Sequence, residues 1–295
     1  MIVNKSLIMH LRKRSPAAEA YRMLRTNLLY AKNGTLPQVV VITSTTAGEG
    51  KTTTSCNLAF AFAQTGRKVL LIDGDIRKPA IHQLFGLSKL VGLASVLKNP
   101  ETLSEAIYHI EECNLDIITS GPSLSDPTEL MSSATLIEVF NTLKKMYDII
   151  IIDTPPVGIV TDAAMFAPVS DGYVLVVAEG SASVSEFKNA KEHLLRVGAD
   201  IFGVVFNKMG IVLGRDSYYY KYYYNKYYYY GYGREPDQKT SGKRGKKKKR
   251  GEVVNAPKVS ESAETIDTFV SEKPVSSEIN DIMETTKAAP PTDNE

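Results

Sequence analysis

The sequence predicts an α/β fold, a mostly parallel sheet with helices on both faces, and three observations lead there. Six short runs rich in β-branched residues are apolar nearly throughout instead of alternating: VVVITS (39–44), KVLLID (68–73), LDIITS (115–120), YDIIIID (147–153), YVLVVAE (173–179) and IFGVVFN (201–207). Strands read this way when both faces of a parallel sheet are covered. Between runs lie KTTTSCNLAFAFAQTG (51–66), TLIEVFNTLKKM (135–146) and SVSEFKNAKEHLLRVG (183–198), with apolar residues at helical spacing and, in two of them, a closing Gly. The alternation of strand and helix implies right-handed βαβ units, whose ligands sit beyond the carboxyl ends of the strands.

Taken in order, the chain starts with SPAAEAYRMLRTNLLYA, a helix at about 15–31 with Ser15 as N-cap and Pro16 at its first position. The strand and helix runs follow, and the folded part is expected to close near residue 212, giving a domain over 1–212. Residues 213–233 then form a tyrosine-rich tail: eleven of the sixteen tyrosines lie there, interleaved with Lys221, Asn225, Lys226 and glycines. These are Tyr218, Tyr219, Tyr220, Tyr222, Tyr223, Tyr224, Tyr227, Tyr228, Tyr229, Tyr230 and Tyr232. The run has neither helical nor strand periodicity. The extension 234–295 opens basic, with KTSGKRGKKKKR at 239–250, and turns acidic and rich in Ser, Thr and Pro after Glu252. It has too little apolar surface to offset its ordering entropy and is expected to be disordered.

Other classes are disfavoured by composition. The formal net charge is only +2, and the basic run comes without an aromatic readout module, so no nucleic acid is expected as partner. Cys56 and Cys113 are far apart and fit no metal spacing; with no secretory signal they suggest ordinary thiols in a reducing cytosol. The apolar runs are strand-sized, well short of the ~20 residues that span a bilayer, so the chain is not expected to cross a membrane by itself.

The chemistry concentrates at strand ends. TSTTAGEGKTTT (43–54) joins the first strand to a helix, and a Gly-rich turn at a helix N-terminus offers backbone N–H groups and the positive dipole end to an anion. Gly48 and Gly50 let the backbone approach a phosphate, Lys51 can reach the β- and γ-phosphates, and Thr52 can ligate Mg²⁺. The pattern G-x-x-x-x-G-K-[ST] is met except that Thr45 stands at its first position. The second strand ends in LLIDGDIRKP, with Asp73, Asp75 and Arg77, and the fourth in IIIIDTPP, with Asp153. Three carboxylates converging beside a phosphate loop repel one another unless a cation sits among them, and a Mg²⁺ bridging the phosphates of ATP supplies it. Each Asp alone has an ordinary alternative as the cap of a turn; together they point to a nucleotide site.

In these motifs, and in the tyrosine cluster, the chain from about Lys13 to Tyr232 resembles the bacterial tyrosine kinases, P-loop enzymes that regulate capsule and exopolysaccharide synthesis. AGEGKT resembles the Walker A loop of that family, LLIDGDIRKP its second aspartate motif (Walker A′) and IIIIDTPP its Walker B motif. The resemblance implies a P-loop fold and a non-specific protein-tyrosine kinase using ATP and Mg²⁺. Ala47, Gly48, Glu49, Gly50, Lys51, Thr52, Thr53 and Arg77 would bind the nucleotide, and Asn207 would contact adenine. Thr52, Asp75 and Asp153 would hold the metal, and Asp73 would be the base for the tyrosine hydroxyl. The tail tyrosines would be the phosphoacceptors, modified in trans. EAYRMLR matches the family pattern E-x-x-R-x-x-R through Glu19, Arg22 and Arg25, one helical face suited to pairing subunits of a ring; a solvated face with local ion pairs is its ordinary alternative. The same resemblance implies a membrane-spanning activator of the polysaccharide co-polymerase type, a cognate phosphotyrosine phosphatase, and a place in the cytoplasm, peripheral at the inner face of the membrane.

Two other readings use the same loop. A partition or positioning ATPase of the superfamily carries an extra lysine early in the loop, whereas Thr46 stands at that position and no lysine lies between Val39 and Gly50. A non-catalytic scaffold, whose nucleotide only sets the assembly state of a polysaccharide export complex, binds ATP equally well.

Overall fold

The structure, a computed structural model, describes residues 7–32, 34–124, 127–131 and 134–209, and the backbone of 266–268. The first half holds α1 (Ile8–Leu11), α2 (Pro16–Leu29), β1 (Val39–Ser44), α3 (Lys51–Ala63), β2 (Val69–Asp73), α4 (Ile81–Phe85), α5 (Leu93–Lys98), α6 (Leu103–Ala106), β3 (Ile107–Ile110) and β4 (Leu115–Ile118). The second holds α7 (Thr128–Met131), α8 (Ala134–Met146), β5 (Ile149–Asp153), β6 (Gly172–Ala178), α9 (Val184–Arg196), β7 (Ile201–Asn207) and β8 (Ile266–Thr268). A 3₁₀ helix, Asp162–Val169, follows β5.

One sheet takes all these strands in the order β3-β4-β2-β5-β1-β6-β7-β8. From β4 to β7 the pairs are parallel, as the apolar runs predict. Antiparallel strands close both edges, β3 on β4 and β8 on β7. All six predicted strands and all four predicted helices are present, with ends shifted by at most three residues. The short β3 was not legible; it joins β4 through a turn in which Asn114 takes φ +51°. β8 falls inside the extension expected to be disordered. The remainder of that extension and the tyrosine segment lie outside the described residues.

The strands are apolar throughout because the sheet is buried twice. Val39 and Val41 point into a core shared with α5, α8 and α9, while Val40 and Ile42 point into one shared with α1, α2 and α3. Phe140, Phe166 and Phe187 fill the first, and Tyr21, Phe62 and Phe85 the second, all with at most 1% of their surface exposed. Each such side chain contributes about 1.5–3 kcal/mol over its exposed state. Helix ends follow the sequence: the Ser15 hydroxyl accepts the Ala18 N–H, and Ser183 and Glu186 form a reciprocal capping box on α9.

Register then positions the site. β1 lies at the centre, between β5 and β6, and the β2–β5 register sets Asp73 directly beside Asp153 at the carboxyl edge. Among the described residues no helix is long and apolar enough to cross a membrane.

Candidate active site

The loop from β1 to α3 bends on two glycines in the left-handed region, Gly48 at φ +83° and Gly50 at φ +92°. Gly50 is the N-cap of α3, and a Cβ there would fall 2.0 Å from the Asn207 side-chain nitrogen, so conformation and space both demand glycine. At Thr45, where the usual pattern has glycine, the close approach is met from the other side. A Cβ on Gly158 would lie 2.3 Å from the Thr45 carbonyl, so the facing loop supplies the small residue. That facing loop, residues 154–158, is laced to the end of β1: Thr154 donates to the Ile42 carbonyl at 2.9 Å, Val157 N–H to Ser44 at 2.9 Å, and Thr43 to Pro155 at 2.8 Å.

Within this frame the predicted charges meet. The Lys51 ammonium is 3.3 Å from Asp75 Oδ2, 3.7 Å from Asp153 Oδ2 and 3.4 Å from the Thr52 hydroxyl. Burial alone would lower the Lys51 pKa, but Asp153 and Asp75 outweigh it and hold it above the usual lysine value. Asp153 is buried, which raises its pKa, against the opposing pull of Lys51, Thr52 and Ser55. Its Oδ1 accepts from the Ser55 hydroxyl at 3.1 Å, while Oδ2 has no hydrogen-bond partner. Asp73 is fully buried; burial first, then Asp153, push its carboxyl up to about 7, against the N–H of Ile81. Its oxygens accept N–H groups from Asp75 at 3.3 Å, Ala80 at 3.1 Å and Ile81 at 3.0 Å. Asp73 therefore also steadies the start of α4.

These donors fit Mg²⁺. Asp153 Oδ2, buried and without a hydrogen-bond partner, the Asp75 carboxylate and the Thr52 hydroxyl are hard oxygen donors that all lie within 3.7 Å of the Lys51 ammonium. Mg²⁺ usually takes one or two carboxylates from protein and completes its shell with phosphates and water.

The other expected residues divide. Ala47 and Gly48 are exposed at the loop mouth, and Lys51, Thr52 and Thr53 are half-buried beneath it. Glu49 is wholly buried, its carboxylate accepting from the Thr46 N–H at 2.7 Å and from the Ser181 hydroxyl, so its side chain clips the loop to the end of β6. The Arg77 guanidinium is engaged by Asp162 at 2.6 and 3.1 Å. Asn207 donates its side-chain amide to the Glu49 carbonyl at 2.8 Å and lies against the back of the loop. Glu19 and Arg22 pair at 2.7 Å on α2, whereas Arg25 reaches the Ala61 carbonyl at 2.8 Å, at the far end of α3 from the phosphate loop. The phosphoacceptor tyrosines, Tyr218 to Tyr232, lie outside the described residues. Ser55, Asp162 and Lys208 were not singled out from the sequence. Ser55 shares the helix face of Lys51 one turn on, which is a readable signal; Asp162 and Lys208 have none.

Comparison with known proteins agrees with this geometry. The profile of the AAA domain family matches residues 37–188. The putative tyrosine-protein kinase CapB of Staphylococcus aureus is 38% identical over 214 residues, covering 72% of this chain and 94% of its own. The tyrosine-protein kinase YwqD of Bacillus subtilis (strain 168) is 40% identical over 217 residues, covering 74% and 91%. Among solved structures, the chimerical protein CapA2B2 superposes with a TM-score of 0.65 at 41% identity, over 69% of this chain and 89% of that one. The kinase domain of the Escherichia coli tyrosine kinase ETK gives 0.66 at 32% identity, over 70% and 81%. The family profile spans the phosphate loop and both aspartate strands, and the two curated relatives are matched over nearly their whole length, so the chain belongs to the bacterial tyrosine kinase family.

Proposed function

We propose that this tyrosine kinase phosphorylates its own tail between subunits, under a membrane-spanning activator, and thereby regulates capsular or exopolysaccharide synthesis and export. The activity itself, transfer of a phosphoryl group to protein tyrosine, follows from the family. The observation that carries the site assignment is Lys51 held between Asp75 and Asp153 beneath a glycine loop at a helix N-terminus. Phosphoryl transfer needs positioning and neutralised charge more than covalent chemistry, and this arrangement offers both.

In this reading the N–H groups of Ala47 to Thr53 cradle the phosphates of ATP, and Lys51 orients the γ-phosphate. Thr52, Asp75 and Asp153 hold Mg²⁺, which when bound neutralises phosphate charge. A tyrosine oxygen forms a bond to the γ-phosphorus as the bridging oxygen leaves with ADP. Asp73 accepts the phenolic proton; Oδ1, with its one long bond at 3.3 Å, is the freer oxygen. A carboxyl near neutrality is suited to that work. The segment from Tyr218 to Tyr232 is the natural acceptor, dense in phenols and close in sequence to the end of β7. The link to polysaccharide, the activator, the phosphatase and the place at the inner membrane face rest on the family resemblance.

Two full-length variants test it. Lys51→Met keeps the acceptors and removes the charge; a second chain keeps Lys51 and carries Phe at the eleven tail tyrosines. Phosphotyrosine should form on neither alone and should appear on the Lys51→Met chain when the two are mixed with ATP and Mg²⁺ under conditions in which the unaltered protein labels itself. Labelling of the Lys51→Met protein alone overturns the site assignment, and no labelling in the mixture rejects transfer between subunits. Nucleotide binding without labelling in the unaltered protein even with its activator present favours the scaffold.

A further inference from the structure

Peptide planarity ties the two ends of every amide together: a carbonyl aimed one way aims its N–H the other. In the phosphate loop two successive carbonyls are held from the β7 side. The Lys208 ammonium donates to the Gly48 oxygen at 2.7 Å, and the Asn207 side-chain amide donates to the Glu49 oxygen at 2.8 Å. The N–H groups sharing those two peptides belong to Glu49 and Gly50. They are turned to the opposite side, where an anion cradled by the loop would sit.

Lys208 holds this position from a strained backbone. Its φ is +60°, in the left-handed region that costs a residue with a Cβ about 1 kcal/mol. Such outliers persist where their surroundings over-determine them, often at functional sites. The surroundings are visible: the Lys208 N–H donates to Asn207 Oδ1 at 2.8 Å, and Asn207 in turn packs on Gly50, where a Cβ would meet it. The side chain of Lys208 is only half-buried, so the strain is not explained by burial of an apolar group.

We propose that Lys208 is a positioning residue of the kinase: through the Gly48 carbonyl it keeps the Glu49 and Gly50 N–H groups in their anion-accepting orientation. The inference deepens the assignment of this loop to ATP and rests on it. It also joins two parts of the enzyme, since the strand that leads into the tyrosine-bearing segment is the strand that braces the phosphate loop.

The test compares full-length Lys208→Gly and Lys208→Arg with the unaltered protein, using a fluorescent ADP analogue, steady-state kinetics and thermal melting. Glycine tolerates φ +60°, so Lys208→Gly removes the ammonium without adding strain and should melt within a few degrees of the parent. Losing one charged hydrogen bond at a partly exposed site should weaken nucleotide binding and raise the KM for ATP about five- to tenfold, with kcat held within about twofold. Lys208→Arg should restore binding to within about twofold, since its guanidinium can reach the same carbonyl. In the nucleotide-free state the Glu49 and Gly50 amides should exchange faster in Lys208→Gly, which a direct contact with ATP would not produce. Unchanged affinity and unchanged amide exchange in Lys208→Gly overturn the inference. If Lys51→Met still loses binding in the same assay, the assignment of the loop stands without it.

Discussion

Arg77 and Asp162 form a two-point ion pair, Nε to Oδ2 at 2.6 Å and Nη2 to Oδ1 at 3.1 Å, that ties the loop after β2 to the 3₁₀ helix after β5. The pair is lopsided: the Asp162 side chain is 1% exposed and that of Arg77 34%. Removing the arginine leaves a buried carboxylate without its partner, whereas removing the aspartate leaves a guanidinium that water can reach. Arg77→Ala should therefore destabilise by about 2–4 kcal/mol, below the full cost of breaking a buried pair because Arg77 is partly solvated, and Asp162→Ala by less. Urea unfolding midpoints measure both. Equal losses would show that burial of Asp162 does not set the energetics. Asp75 stands two residues before Arg77, so Arg77→Ala should also lower the rate of phosphoryl transfer.

Asp73 has two duties that one substitution can separate. As the proposed base it is needed for transfer; as the acceptor of the Ala80 and Ile81 N–H groups it steadies the start of α4. Asp73→Asn keeps one acceptor oxygen and should cost about 1 kcal/mol in stability. Phosphotyrosine formation should fall at least a hundredfold while titration with a fluorescent ADP analogue changes little. Loss of nucleotide binding together with activity would assign Asp73 to the metal instead of the proton.

The parts of the site that were legible in the sequence are those whose chemistry is local. Gly48, Gly50, Lys51 and Thr52 sit within one strand–turn–helix, and Asp73, Asp75 and Asp153 end apolar strands, so pattern and context agree before any fold is known. What the sequence hid lies in contacts distant along the chain. Arg77 meets Asp162 across 85 positions, and Asn207 meets the Glu49 carbonyl across 158. Glu49, expected at the nucleotide as part of the loop, instead has a buried carboxylate that clips the loop through Thr46 and Ser181. The strands β1, β2, β5 and β6 were readable because burial on both faces makes them apolar, while β3 is a four-residue edge strand with half-exposed side chains and no such signature.

A pH prediction follows from Asp171, at the opposite end of β1 from the phosphate loop. Burial would raise its pKa, but the N–H groups of Val39 and Gln38, at 2.9 and 2.8 Å, and the Lys32 ammonium at 3.0 Å outweigh it and hold the carboxyl below its usual value. A carboxyl whose folded pKa is depressed adds stability above its unfolded pKa, and that stability is lost as pH falls through the folded pKa. Asp171→Asn should thus destabilise by about 1–2 kcal/mol near pH 7, and the gap to the parent should narrow below about pH 4. Urea midpoints measured across pH 3 to 7 on both proteins decide it; a constant gap would mean the loss is packing and not charge.

The stripe Glu19, Arg22 and Arg25 divides into two sets of contacts. Glu19 and Arg22 form a partly exposed pair on α2 and remain available to a neighbouring subunit, with Arg22 also donating to the Lys13 carbonyl. Arg25 is committed within its own chain, giving Nη1 to the Ala61 carbonyl in the last turn of α3, where helix carbonyls lack partners and a cation is favoured. Replacing all three by alanine would therefore mix loss of assembly with loss of α2–α3 docking. The separated experiment is Glu19→Ala/Arg22→Ala against Arg25→Ala. The double variant should shift the protein toward monomers by light scattering and lower phosphorylation in trans, with stability changed by less than about 1 kcal/mol, as exposed pairs contribute little. Arg25→Ala should destabilise the fold by about 1–2 kcal/mol, through one charged hydrogen bond and lost packing of its stem. An unchanged oligomer in the double variant would reject this face as the subunit contact.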